Sequence, residues 1–193
     1  MQTKTNFLGS PSEIPKKIEG WNHTFQLAKP YIKENGIGID VGCREGGFAR
    51  EMENNFTHIH CFDFRDKKKM FEKNVLDMNK FTYHVCGIGE KECEVYTTGH
   101  NVGRIKNRGS VKVNIKTIDS FNFTDVTFIK YDIEGYELKA IQGSVNTIKK
   151  YYPVVVVEQN KGNLHARELL ESWGYVCKSV DKVFNQDHIM VKE

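Results

Sequence analysis

Apolar residues along this chain occur in two arrangements, short unbroken runs and longer stretches where they return every third or fourth position. The runs Ile37–Val41, His58–Phe62, Phe81–Cys86, Val126–Tyr131 and Pro153–Glu158 have the length and β-branched content of strands. Val154–Val157, apolar at every position, predicts a strand covered on both faces. Helical spacing links Ile18, Trp21, Phe25, Ala28 and Ile32, with Pro30 expected to kink or split the segment. It links Phe48 to Met52, places a lysine-rich helix up to about Asn79, and sets Leu138, Ile141, Val145 and Ile148 on one stripe. A further helix around Leu169 and Trp173 is expected to stop at Gly174. Glu92–Tyr96 and Val111–Lys116 alternate as strands bracketing a loop, and Tyr175–Lys178 and His188–Lys192 read as a terminal strand pair.

Strands that alternate with helices predict an α/β fold, a parallel sheet with helices on both faces. Such sheets bind ligands at the carboxyl ends of their strands. The organisation expected is an N-terminal arm and helical segment over residues 1–35, packed on a core over residues 36–193.

At the end of the first strand stands "DVGCREGGF", a glycine turn of the kind that brings backbone close to a ligand. A dinucleotide fingerprint requires a glycine where Arg44 stands, and a phosphate-binding P-loop requires Gly-Lys-Ser/Thr where Gly46-Gly47-Phe48 stands. Asp40 and Glu45 flank the turn and would repel phosphate; they suit a cation. S-adenosylmethionine, with an ammonium, a sulfonium and no phosphate, meets that requirement. Asp63, about twenty residues past the turn at the end of the second strand, can accept hydrogen bonds from both ribose hydroxyls. The competing reading of Asp63 is a helix N-cap.

Composition changes this picture little. Hydrophobic content of 39% and charged content of 27% are those of an ordinary globular protein, and a net charge of +3 is too small to predict a nucleic-acid partner. The apolar runs are too short to cross a bilayer and no signal-like leader is seen, so no membrane insertion and a cytoplasmic location are expected. Five cysteines without a C-x-x-C pair predict free thiols. His58 and His60 share a strand face, but no further ligands can be placed beside them, so no metal site is expected.

The motifs "IDVGCREGGF", "HCFDF", "HVCGIGE", "VNIKTIDSF", "FIKYDIEGYELKAIQGS", "PVVVVE" and "ELLESWGY", in this order, resemble those of the FkbM-type S-adenosylmethionine-dependent methyltransferases from about Gly36 to Met190. Asp63-Phe64 stands where Glu-Pro is usual in that family. The resemblance implies a Rossmann-like methyltransferase fold, a mostly parallel seven-stranded sheet with an antiparallel C-terminal strand. It implies S-adenosylmethionine as cofactor, held by Asp40, Gly42, Cys43 and Gly46, by Asp63 and Phe64, and by Cys86 and Ile88. It implies chemistry at Asp132 and Glu134 with Lys130 keeping the acids ionised, with Glu137 expected in part as a helix cap and Glu158 on the same rim. The expected activity is O-methylation of a sugar, glycan or natural-product hydroxyl, the small-molecule or glycan acceptor being acidic or phosphorylated if Arg104, Lys106, Arg108 and Lys112 grip it. The alternatives are a nucleic-acid methyltransferase, against which stands the lack of an N/D-P-P-Y/F motif, and an S-adenosylmethionine-binding module without catalysis.

Overall fold

A computed structural model describes residues 14–33, 36–97, 111–159, 164–183 and 186–193, with side chains from residue 20 onward. In chain order the elements are α1 (Ile14–Ala28), β1 (Ile37–Val41), α2 (Gly47–Met52), β2 (His58–Asp63), α3 (Lys68–Asn74), β3 (Phe81–Val85), β4 (Gly87–Ile88), β5 (Cys93–Thr97) and β6 (Val111–Lys116). They continue with β7 (Val126–Tyr131), α4 (Glu137–Gln142), α5 (Val145–Tyr151), β8 (Val154–Glu158), α6 (His165–Ser172), β9 (Tyr175–Asp181) and β10 (Asp187–Lys192).

Seven strands form one sheet in the order β3-β2-β1-β7-β8-β10-β9. The first five are parallel, and β10 runs antiparallel between β8 and β9. This is the mostly parallel sheet with an antiparallel C-terminal strand that the motif order predicts. The excursion strands do not join it: β5 pairs with β6, and β6 with the short β4, in a separate three-stranded sheet. Three expected boundaries move. The lysine-rich helix ends at Asn74, and Asp77 caps a separate single turn at Met78–Lys80. The stripe from Leu138 to Ile148 is two helices, broken at Gly143, where a Cβ would lie 1.9 Å from the Gly89 carbonyl oxygen. Pro30 ends α1 in a 3-10 turn at Lys29–Tyr31.

Strand side chains alternate between faces, and this decides what reaches the site. On one face Ile39, Val41, Phe62, Ile129, Tyr131, Val155 and Val157 pack with Ala140, Ile148 and Leu170 of α4, α5 and α6. On the other, Phe128, Val156 and Ile189 meet Phe25 of α1, Phe48 and Met52 of α2 and Phe71 of α3. Phe25, Phe48, Phe56 and Phe128 centre that layer, with ring centroids 5.6–6.4 Å apart. His60 Nδ1 and His84 Nε2 lie 3.1 Å apart and His58 bonds Thr82, so these imidazoles pair within the β2–β3 surface. Among the described residues no group of three His, Cys, Asp or Glu is placed to hold a metal ion, and no helix is long and apolar enough to cross a membrane.

Candidate active site

A cleft of about 510 Å³, its open mouth included, lies at the carboxyl ends of β1, β2 and β7. Its walls are Val41, Gly42 and Arg44 after β1, Phe62 to Arg65 at the end of β2, Cys86 to Ile88 on β4 and its approach, and Asp132, Ile133, Glu134 and Tyr136 after β7.

The glycine turn is wedged between its neighbours. The amides of Gly42 and Cys43 donate to the Phe62 carbonyl at 2.8 and 3.1 Å, and the Asp132 amide donates to the Val41 carbonyl at 3.0 Å. Gly42 has φ +95°, and a Cβ there would lie 1.9 Å from the Asp132 carbonyl oxygen, so only glycine lets the two loops meet. Gly46, at φ +86°, serves packing against Phe71 at the start of α2.

Asp63 is a bolt for this turn. Its Oδ2 accepts from the Arg44 amide at 3.2 Å, and its Oδ1 accepts from the Arg65 amide at 2.8 Å and Arg65 Nε at 3.3 Å. It does not cap α3: the N-cap is Lys67, and the Lys68 amide donates to Asp66 Oδ1 at 3.1 Å. The carboxylate lines the cleft with lone pairs still unengaged. Phe62, Phe64 and Ile88 supply an apolar shelf beside it, with Cys86, whose thiol burial pushes up to about 11.

Beyond the strand ends of β7 and β8 lies a different environment. The Lys130 ammonium donates to Asp132 Oδ2 at 2.7 Å and sits 4.8 Å from the Phe48 ring. Burial would lower the lysine's pKa, but Asp132, Asp187 and Asp40 outweigh it and hold the group charged, well above its ordinary value. For Asp132 burial pulls upward, and the Lys130 charge and hydrogen bond win, keeping the carboxyl below its usual range. Glu158 is pushed up to about 8 by burial and then by the Asp132 charge. Asp40 rises to about 7 through burial, and neither of its oxygens has a hydrogen-bond partner among the described residues. Asp187 rises to about 6, again chiefly by burial. The Thr24 hydroxyl of α1 donates to Asp181 at 2.7 Å and lies 3.1 Å from Asp187.

Of the expected cofactor residues, Gly42, Asp63, Phe64, Cys86 and Ile88 line the cleft, together with Asp132 and Glu134. Four expected site residues do not. Asp40 and Lys130 are register partners on β1 and β7 and point to the face opposite Ile39 and Val41, under α1 and α2. Cys43 is buried beside Cys61, to which its thiol is hydrogen-bonded, and Gly46 faces Phe71. Both-face burial of β1 is legible in the sequence, but which face carries the cleft is not. Glu137 is a capping group: its Oε1 accepts from the Ile133 and Gly135 amides, each at 3.0 Å. Lys112 pairs with Glu94 at 2.7 Å on the surface, while Arg104, Lys106 and Arg108 lie outside the described residues. Arg44, Arg65 and Tyr136 line the cleft without having been expected there; the signal for Arg44 was its place inside the turn, two residues after Gly42.

A family model described as "Methyltransferase FkbM domain" matches residues 22–177. Among solved structures, an FkbM methyltransferase from Methylobacillus flagellatus KT superposes with a TM-score of 0.62 at 14% identity, covering 93% of this chain and 59% of its own. This chain thus spans well under two thirds of that protein's length. Magnesium protoporphyrin IX methyltransferase from Synechocystis PCC 6803, solved with bound S-adenosylmethionine, matches at a TM-score of 0.53 and 10% identity, covering 100% and 87% of the two chains. An rRNA methylase from Streptococcus thermophilus matches at 0.51 and 8% identity over 97% and 99%. At these identities the superpositions establish the fold. No curated protein sequence matches the chain. With the family model spanning most of its length and the cleft at the strand ends where that fold places its site, the chain belongs to the FkbM family of S-adenosylmethionine-dependent methyltransferases.

Proposed function

We propose that the protein transfers the methyl group of S-adenosylmethionine to a hydroxyl of a sugar, glycan or natural-product acceptor. The observation that carries this reading is the Lys130–Asp132 pair, which presents an ionised carboxylate at the inner end of the cleft.

The residues present fit the cofactor. Phe62, Phe64, Cys86 and Ile88 form a shelf for adenine, Asp63 retains acceptor capacity for ribose hydroxyls, and Gly42 removes the side chain that would separate the turn from the methionine portion. The acids on the walls disfavour phosphate-bearing nucleotides. The cofactor supplies an electrophilic methyl group with its own driving force. What the protein adds is position and a proton acceptor. Lys130, immobilised by burial and by the Phe48 ring, fixes the Asp132 carboxylate in one orientation. A hydroxyl is a poor nucleophile while neutral, and Asp132, held by Lys130 behind it, can accept its proton as the methyl group moves. Alignment of acceptor and donor can supply a large share of the rate.

The test uses radiolabelled S-adenosylmethionine with a panel of sugars, phosphosugars, glycans and oligonucleotides. A hydroxyl acceptor is expected to be methylated. Asp132→Asn is expected to lower turnover by roughly a hundredfold while leaving affinity for S-adenosylhomocysteine almost unchanged. Preference for oligonucleotides, or full activity in Asp132→Asn, would overturn this assignment.

A further inference from the structure

The cleft walls carry five charged side chains, Arg44, Asp63, Arg65, Asp132 and Glu134, and three of these are committed to partners that belong to the fold. Asp63 and Arg65 hold each other and the glycine turn, and Asp132 is held by Lys130. Arg44 and Glu134 differ. Among the described residues their side chains hydrogen-bond only to each other, Arg44 Nη2 to Glu134 Oε1 at 2.7 Å, with nearly half of each side chain exposed (47% and 41%). They come from the two loops that face each other across the cleft, after β1 and after β7. Neither is glycine, yet both sit in the left-handed backbone region, at φ +47° and +58°. The backbone of Arg44 is fastened there by its amide's bond to Asp63, and that of Glu134 by the Glu137 bonds to Ile133 and Gly135 on either side of it. The loops are rigid where the side chains start and the side chains are committed only to one another.

An exposed ion pair of this kind is a weak interaction, easily exchanged. The ligand proposed for the cleft carries, at its amino-acid end, a carboxylate and an ammonium on the same carbon. A guanidinium and a carboxylate set side by side on the cleft wall are the complement of that zwitterion. We infer that Arg44 and Glu134 form the recognition pair for the amino-acid head of the cofactor, opening their mutual contact so that Arg44 takes the carboxylate and Glu134 the ammonium. This rests on the cofactor reading given above and specifies which of this chain's residues read the part of the ligand that distinguishes it from a plain nucleoside. A forked guanidinium suits a carboxylate better than a lysine ammonium does. Because each charge leaves one partner for another, binding strands neither of them.

Calorimetric titration with two ligands tests the assignment without an acceptor. S-adenosylhomocysteine has the amino-acid head; 5′-methylthioadenosine has the same adenosine and a thioether but no head. For the unaltered protein, S-adenosylhomocysteine is expected to bind the tighter of the two. Arg44→Gln is expected to weaken S-adenosylhomocysteine roughly ten- to a hundredfold, the loss of a charge-assisted contact, and to leave 5′-methylthioadenosine unchanged. Arg44→Lys should fall between, and Glu134→Gln should weaken only S-adenosylhomocysteine, by a smaller factor. Unchanged binding of the headless ligand shows that the turn has kept its fold. Equal weakening of both ligands by Arg44→Gln, or unchanged S-adenosylhomocysteine binding, would overturn the head-group assignment alone. Failure of the unaltered protein to bind either ligand would overturn the cofactor reading and this inference with it.

Discussion

Asp63 and Asp40 end neighbouring parallel strands, are both buried, and are put to opposite uses. Asp63, the last residue of β2, opens onto the cleft and is met by two backbone amides and a guanidinium nitrogen. Asp40 points to the face under α1 and α2, where neither oxygen finds a hydrogen bond and burial lifts its carboxyl to about 7. One acid is a fastener, its charge balanced by donors that the loops bring. The other belongs to a group of acids (Asp132, Glu158 and Asp187 with it) on which the buried Lys130 ammonium acts. A carboxylate at the end of a strand therefore says little by itself. What decides its role is whether the strand stops there and opens onto the cleft, and whether donors converge on it.

The comparison breaks most sharply at Lys130. Lys130→Met removes the cation from the acid group and is expected to destabilise the fold by about 3–5 kcal/mol at pH 8, the range seen when one partner of a buried pair is lost. At pH 5 the loss should be smaller, because Asp40, Glu158 and Asp187 then carry protons. Urea unfolding at the two pH values measures both; equal losses would mean that the lysine does not serve these acids.

Asp63→Ala should cost about 2–3 kcal/mol by leaving the Arg44 and Arg65 amides without their acceptor, with Asp63→Asn recovering part of it. Because the Arg44 loop is then unfastened, S-adenosylhomocysteine affinity should fall along with the melting temperature. A fall in affinity without any change in stability would make Asp63 a ligand contact only.

The smallest effect distinguishes Asp40. Its folded-state value, about 7, lies above the unfolded value of about 3.9, so the folded chain keeps a proton that the unfolded chain has released. Stability from this group is full below the unfolded value and is lost as pH rises through the folded one. Asp187, at about 6, and Glu158, at about 8, act with the same sign. Asp132, lowered, acts with the opposite sign and loses its contribution as pH falls. Thermal unfolding should therefore show stability declining from about pH 5 to pH 8. Asp40→Asn should flatten that slope and add about 1–2 kcal/mol at pH 8 while changing little at pH 5. An unchanged slope in this variant would place the proton elsewhere in the group.

Much of this was legible from residue order. β1 and β7 begin and end where the sequence places them, because both are buried along their length and mostly apolar, with Asp40, Thr127 and Lys130 as the polar exceptions. The motif order also gave the family, and with it the sheet. The helical stripe from Leu138 to Ile148 is real, yet it belongs to two helices, since periodicity survives a break that only the close approach of Gly143 to Gly89 imposes. The site was half legible. Asp63, Phe64, Cys86 and Ile88 reach the cleft because they follow strand ends, where the chain has no alternative. Asp40 and Cys43 look equally placed in the sequence and are turned away, because a run apolar on both sides does not say which side is open. Arg44 was hidden because its significance lies in Glu134, ninety residues on.

The place of β10 in the sheet has a consequence in time. β9 precedes it in the chain, yet β10 is the strand that touches β8, and β9 reaches the sheet only through β10. A chain emerging from the ribosome must therefore hold β9 in reserve, its Tyr175 and its Asp181 without their final neighbours, until Asp187–Lys192 has been made and slipped between. Only then can Thr24 of α1, synthesised some 150 residues earlier, close on Asp181 and Asp187. An element made some 150 residues before its partners is thus secured only once they exist, a long-range contact of the kind that slows folding.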